Sequence, residues 1–158
     1  MKKQIALGVG LLAADQISKW IVSQTLLLGE RNEIIPHFFS LTYLHNTGAA
    51  WSMFEGQMGF FMIVSIVALL LMIGFYKGTE KDDILTKYGL VLMMSGTIGN
   101  LIDRVCFHYV RDFLDFIILG YDFPVFNIAD MALCIGVGLI MLSIVLESLY
   151  GGYRKCVK

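Results

Sequence analysis

Four stretches of this chain carry apolar residues almost without interruption, and the polar residues gather between them. The plainest is 59–76, which holds no charged side chain and is long enough to cross a hydrocarbon layer as a helix. A second, 4–24, carries Asp15 and Lys19 in its second half. Four positions apart, these two share a helical face and neutralise one another, which lowers the cost of taking them toward lipid. The third, 88–105, is rich in small residues (Gly89, Ser95, Gly96, Gly99) that let helices approach closely in a bilayer. It ends on Asn100, Asp103 and Arg104, whose three- and four-residue spacing puts them on one face. The fourth is 127–150. The pattern predicts a mainly α membrane protein in which 1–158 form one membrane domain, a four-transmembrane-helix bundle.

The first residues, two lysines and then a short apolar run ending in small residues, have the make-up of a cleavable signal peptide. The helical pattern runs on past Ala14 through Asp15 and Lys19, so the segment is expected to stay as the first span.

Between spans one and two, residues 30–57 change character. Pro36, Asn46 and Gly48 punctuate them, and 38–44 have strand-like composition. Short strands are expected here, resting on the bilayer surface through Phe38, Phe39 and Trp51. Residues 77–87 form a polar turn, and 106–126 a second segment outside the bilayer. Four spans return both termini to one side, together with Lys2, Lys3, Lys77, Lys81, Lys87, Arg154, Lys155 and Lys158. That accumulation marks the side as cytoplasmic. The segments 30–57 and 106–126 then face outward, and so do Asp15, Lys19, Asn100, Asp103 and Arg104. Trp20, Trp51, Tyr109 and Tyr121 are expected in an outer aromatic belt.

Composition agrees: 57% of residues are hydrophobic and 16% charged, against roughly 25% charged in soluble domains. A net charge of -1 with no basic groove gives no ground for a nucleic-acid partner. Cys106, Cys134 and Cys156 are odd in number and lack metal-ligand spacing, so neither metal nor disulfide is expected, and Cys134 reads as a small buried hydrophobe. His37, His45 and His108 are scattered and read as interfacial polar residues.

The chemistry concentrates in 110–130, which holds Asp112, Asp115, Asp122 and Asp130. Asp130 opens the fourth span. It can serve as that helix's N-cap, but a carboxylate at the lip of a membrane helix is also a functional candidate. Two acids facing one another across a small site share a proton, one then acting as base and the other as acid. The residues alone do not choose the pair among these four. Asp115 reads as a surface or capping carboxylate. Asp15 with Lys19, and Asp103 with Arg104, read as polar struts. A small transporter or proton relay also uses membrane acids, but it calls for polar residues through the bilayer depth. Here they gather at one face.

Five motifs in order, D-Q-I-S-K at 15–19, N-T-G-A-A-W at 46–51, G-T-I-G-N-L-I-D-R at 96–104, V-R-D-F-L-D at 110–115 and F-N-I-A-D at 126–130, resemble lipoprotein signal peptidase. This family, also called signal peptidase II, comprises bacterial inner-membrane aspartyl proteases. The resemblance implies four spans with a small extracytoplasmic β-cradle. It implies cleavage of diacylglyceryl-modified prolipoproteins immediately before the lipid-bearing cysteine, at the outer membrane surface, without metal or cofactor. It puts the catalytic pair at Asp112 and Asp130. Substrate-binding or supporting roles fall on Asp15, Lys19, Asn46, Gly48, Asn100, Asp103, Arg104 and Asn127. Inhibition by globomycin-type compounds is expected on the same ground. Arg111 stands where many members have valine; alternation along an extended segment would point it away from Asp112, whereas folded over Asp112 it would favour that acid's ionised form and help decide which acid carries the proton. The sequence does not choose between the two.

Overall fold

The computed structural model describes residues 2–48 and 56–155, with 150–155 as helix backbone. Ala49, Ala50, Trp51, Cys156 and Lys158 lie outside the described residues. Eight elements follow in the order α1 (Lys2–Thr25), β1 (Arg31–Ile35), β2 (Phe39–Asn46), α2 (Met58–Gly78), α3 (Ile84–Phe107), β3 (Val110–Ile118), β4 (Tyr121–Asp122) and α4 (Ile128–Lys155). All four helices are long and apolar enough to cross a membrane. A helix stands over each of the four stretches expected to span, running past the expected start or end by a few residues.

α3 is the central helix, packed against each of the other three. Its approach to α4 depends on missing side chains. A Cβ at Gly89 would stand 2.7 Å from the Gly136 carbonyl oxygen, and one at Gly136 2.6 Å from that of Gly89. The two backbones therefore touch where lipid supplies no hydrophobic drive. α2 packs on α3 and turns Phe60, Ile63, Leu70, Leu71 and Phe75 outward.

At one end of the bundle stands an antiparallel sheet in the order β1-β2-β3-β4. Its inner side packs on α1 through Val22, Tyr43 and Phe113. A bulge between Leu41 and Leu44 of β2 puts Leu44 opposite Asp112. The tie that organises the rest is short: Leu114 and Phe126 exchange backbone hydrogen bonds of 2.8 and 3.0 Å. This pairing sets the residue after Phe126, the first of the α4 approach, beside β3.

Candidate active site

The start of α4 has backbone N–H groups without helical partners, and each contact that satisfies them adds to the site. Asn127 is the N-cap: its Oδ1 accepts from the Asp130 N–H at 3.0 Å. Asp130 reaches back, its Oδ2 accepting from the Asn127 N–H at 3.2 Å. This is a reciprocal capping box. Asp130 is thus the third helical residue and not the cap, a correction to the expectation from sequence. Asp15 of α1 accepts from the Ala129 N–H at 2.9 Å.

Asn127 also carries the link between the two acids. Its Nδ2 donates to Asp112 Oδ1 at 2.6 Å and to Asn100 Oδ1 at 3.2 Å. Asn100 in turn donates to Asp130 Oδ1 at 2.8 Å, and Asn46 donates to Asp112 Oδ2 at 2.8 Å. Three asparagines therefore wrap Asp112 and Asp130, and both acids face one cleft. Burial, and after it the charge of Asp130, push the Asp112 carboxyl up to about 7, against the opposing hydrogen bonds from Asn46 and Asn127.

Behind the acids lies a buried ionic cluster. Lys19, wholly buried, stands 2.9 Å from Asp15 and 3.5 Å from Asp103, and donates to Asn100 Oδ1 at 2.9 Å. Such charges are tolerated out of water only when paired and hydrogen-bonded. The strut reading of Asp15 with Lys19 fits this geometry. Asp103 and Arg104 do not pair with one another: neighbours on a helix point about 100° apart. Asp103 binds Lys19 and Arg111 instead. Arg104 turns into the cleft, its guanidinium over the Phe61 ring at 5.1 Å and its Nη2 3.5 Å from the Gly48 carbonyl oxygen. Its buried Nε has no hydrogen-bond partner among the described residues. The Gly48 N–H closes a turn onto Asn46 Oδ1 at 2.9 Å.

The cleft has a volume of about 710 Å³. Its membrane part is lined by Phe61, Val64, Ser65 and Ala68 of α2, Thr97 of α3, and Met131, Leu133 and Cys134 of α4. Its upper part is lined by Asn46, Gly48, Arg104, Asp112, Asp130 and residues 123–126. A second cleft of about 630 Å³ lies on the sheet side of Asp112 and is bordered by Arg31, Thr42, His45, Asp115, Tyr121 and Asp122. The two share Asn46, Asp112, Phe123, Pro124 and Val125 as a common wall.

Several expectations need correcting. Asp115 is buried, not a surface carboxylate: Thr42 donates to it at 2.6 Å and Arg31 pairs with it at 3.0 Å. Cys134 is exposed in the cleft wall and not buried among packed side chains. Tyr109 stacks on His45 at 3.5 Å. Trp20 and Tyr121 are exposed, as a belt requires. Gln16, which sequence reasoning passed over, joins Asp15, the Gly99 carbonyl and Asp103 through one Nε2. A glutamine in an apolar helix beside an aspartate was the available signal.

A chain of these dimensions, with two carboxylates and three amides at the mouth of a lateral cleft, can be compared with known proteins. The model of the family described as "Signal peptidase (SPase) II" matches residues 7–146. The chain belongs to the signal peptidase II family. It is 38% identical over 154 residues to lipoprotein signal peptidases of Staphylococcus aureus strains bovine RF122 / ET3-1 and MRSA252, covering 94% of each chain. Its fold is similar to two solved bacterial membrane enzymes determined by the in meso method at 2.3 and 1.9 Å resolution. The TM-scores are 0.87 and 0.82 at 38% and 39% identity, covering 94% and 91% of this chain and 90% and 93% of theirs. As a signal peptidase II the chain is a multi-pass bacterial membrane protein and an aspartic protease whose substrates are prolipoproteins. Nothing in the fold or in these likenesses favours a transporter.

Proposed function

We propose that Asp112 and Asp130 are the catalytic pair that cuts diacylglyceryl-modified prolipoproteins before the lipid-bearing cysteine. The observation that carries this reading is the asparagine lattice. Asn46, Asn100 and Asn127 hold two carboxylates, from β3 and from α4, at one cleft that opens between membrane helices. Nearby like charges do not both ionise cheaply, so the pair keeps one proton. Asp112, pushed up to about 7, is the half that retains it. Asp130 receives the Asn100 amide and the Asn127 N–H at the helix start, which favour its charge.

In the reaction, Asp130 takes a proton from water and the oxygen attacks the scissile carbonyl. Asp112 donates its proton to the carbonyl oxygen as the tetrahedral intermediate forms. Collapse breaks the C–N bond, and the leaving amine takes a proton from the dyad. The signal helix lies along the apolar cleft wall of α2 and α4, entering from lipid. Arg104, whose Nε has no partner among the described residues, meets a peptide or diacylglyceryl-ester carbonyl. Asp15 and Lys19 support the dyad from behind, Asp103 does so only through its charge balance with Lys19 and Arg111, and Gly48 borders the substrate path. The same cleft takes globomycin-type inhibitors. The sheet faces outward and both termini are cytoplasmic, since Lys77, Lys81 and Lys87 border the link between α2 and α3 at the opposite end.

The test is cleavage by the purified protein in lipid, with and without the diacylglyceryl group on the substrate cysteine, read by mass spectrometry. The modified substrate is expected to yield a new N-terminal cysteine at least about a hundredfold faster. Equal rates on both forms contradict the lipid part of the reading.

A further inference from the structure

Arg111 immediately precedes Asp112, yet it borders neither cleft. Its buried guanidinium turns back onto α3. Nη2 and Nε donate to the two oxygens of Asp103 at 2.7 and 3.2 Å, Nη2 also reaches Gln16 Oε1 at 3.2 Å, and the cation lies over Phe107 at 4.6 Å. The Arg111 N–H adds a bond to Asp103 Oδ2 at 3.0 Å.

This places four buried charges together, the acids Asp15 and Asp103 and the cations Lys19 and Arg111, and their signs balance. Lys19 does not divide itself evenly between the acids. It sits close to Asp15 and to Asn100 Oδ1, both at 2.9 Å, and stands off from Asp103 at 3.5 Å. An amide held by its oxygen has its NH2 end directed the other way, and that end of Asn100 donates to Asp130. Were Asp103 stripped of Arg111, it would be a buried carboxylate with Lys19 as its one remaining ion-pair partner among the described residues. Attraction at low dielectric would then draw the ammonium toward it and away from Asn100.

We propose that Arg111 is a positioning residue for the reaction: by neutralising Asp103 it leaves Lys19 to orient Asn100, and so Asn100 to present its N–H to Asp130. The proposal rests on the catalytic role given to Asp130 above. It predicts that what matters at position 111 is charge balance rather than bulk, and that the residue acts on turnover rather than substrate binding.

The experiment compares wild type, Arg111→Val and the double variant Asp103→Asn with Arg111→Val on a diacylglyceryl-modified prolipoprotein, with thermal unfolding of each. Arg111→Val is expected to lower kcat about tenfold or more with KM within about twofold, and the double variant, balanced again at one acid and one base, to recover most of the loss. A double variant that folds and works where Arg111→Val does not fold supports the same conclusion. Wild-type turnover by Arg111→Val overturns it. So does a double variant that stays as slow as the single one, or that also fails to fold, for then Arg111 only braces β3 on α3. Wild-type turnover is the reference throughout, so failure here leaves the dyad reading to its own variants.

Discussion

Asn127 and Asp130 cap one another at the start of α4, side chain to backbone in both directions at 3.0 and 3.2 Å. The same Asn127 donates to Asp112 at 2.6 Å, so one residue closes a helix end and ties two acids together. The roles can be separated. Asn127→Ser keeps a capping oxygen but loses the amide that reaches Asp112, while Asn127→Ala loses both. Ala is expected to unfold more easily than Ser by about 1 kcal/mol, the worth of a cap. Both variants are expected to cleave about tenfold more slowly or worse, since each leaves Asp112 short of a donor. Unfolding curves and single-turnover rates on the same preparations check the two halves.

Gly99 is needed for space. A Cβ there would meet Asp15 Oδ2 at 2.5 Å and press on Ala129. Gly99→Ala is therefore expected to cost about 1–3 kcal/mol as overpacking, and to slow cleavage by moving Asp15 off the α4 start. Gly74→Ala and Gly138→Ala meet nothing within 4 Å and are expected to unfold no more easily than wild type, up to about 1 kcal/mol later from helix propensity, and to cleave at its rate. Thermal unfolding of the three side by side decides it.

The pH dependence has a definite sign. Asp112 binds its proton up to about 7 when folded and to about 3.9 when unfolded. Between those values the folded chain holds more protons at this group, so its contribution to stability falls as pH rises through the window. Activity needs one proton on the pair, so turnover is expected to decline as pH climbs past about 7. The apparent value belongs to the pair. A pH–rate profile in lipid checks the decline, and the Asp112→Asn protein is expected to lack the stability slope.

Asp115 shows that burial of an acid is not by itself a sign of catalysis. Thr42 and Arg31 occupy it, and it lies on the sheet side, away from Asp130. Asp115→Asn keeps the shape but loses the ion pair with a half-exposed Arg31. It is expected to cost no more than about 1–3 kcal/mol and to leave the cleavage rate within about threefold of wild type. Equal loss of rate from Asp115→Asn and Asp112→Asn would show the two acids to be misassigned.

Much of this was legible along the chain because membrane helices announce themselves. Lipid demands an apolar surface over a whole span, so the 59–76 run led directly to α2. The convergence of Asp15, Lys19, Asn100 and Asp103 followed from helix phase and connectivity alone. What stayed hidden depends on partners far apart in sequence. Asp115 looked like a surface group because Thr42 and Arg31 stand 73 and 84 positions away. The choice of Asp112 came from family resemblance, not from spacing. The Leu114–Phe126 pairing that brings it beside Asn127 has no signature in either segment. Cys134 was misplaced because a continuous apolar run does not tell which face meets a cleft and which meets a neighbour.

The claim beneath all of this is that Asp112 and Asp130 together activate the attacking water. The direct measurement is the single-turnover cleavage rate of a diacylglyceryl-modified prolipoprotein by Asp112→Asn and by Asp130→Asn, each shown to be folded by its unfolding transition. Each substitution is predicted to lower the rate by about 10²–10⁴-fold or more; Asp112→Asn removes a buried carboxyl beside a like charge but turns its NH2 onto the amide of Asn46 or Asn127, and is expected to keep its stability within about 1–3 kcal/mol of wild type. A folded variant of either kind that cleaves within about tenfold of wild type contradicts the account.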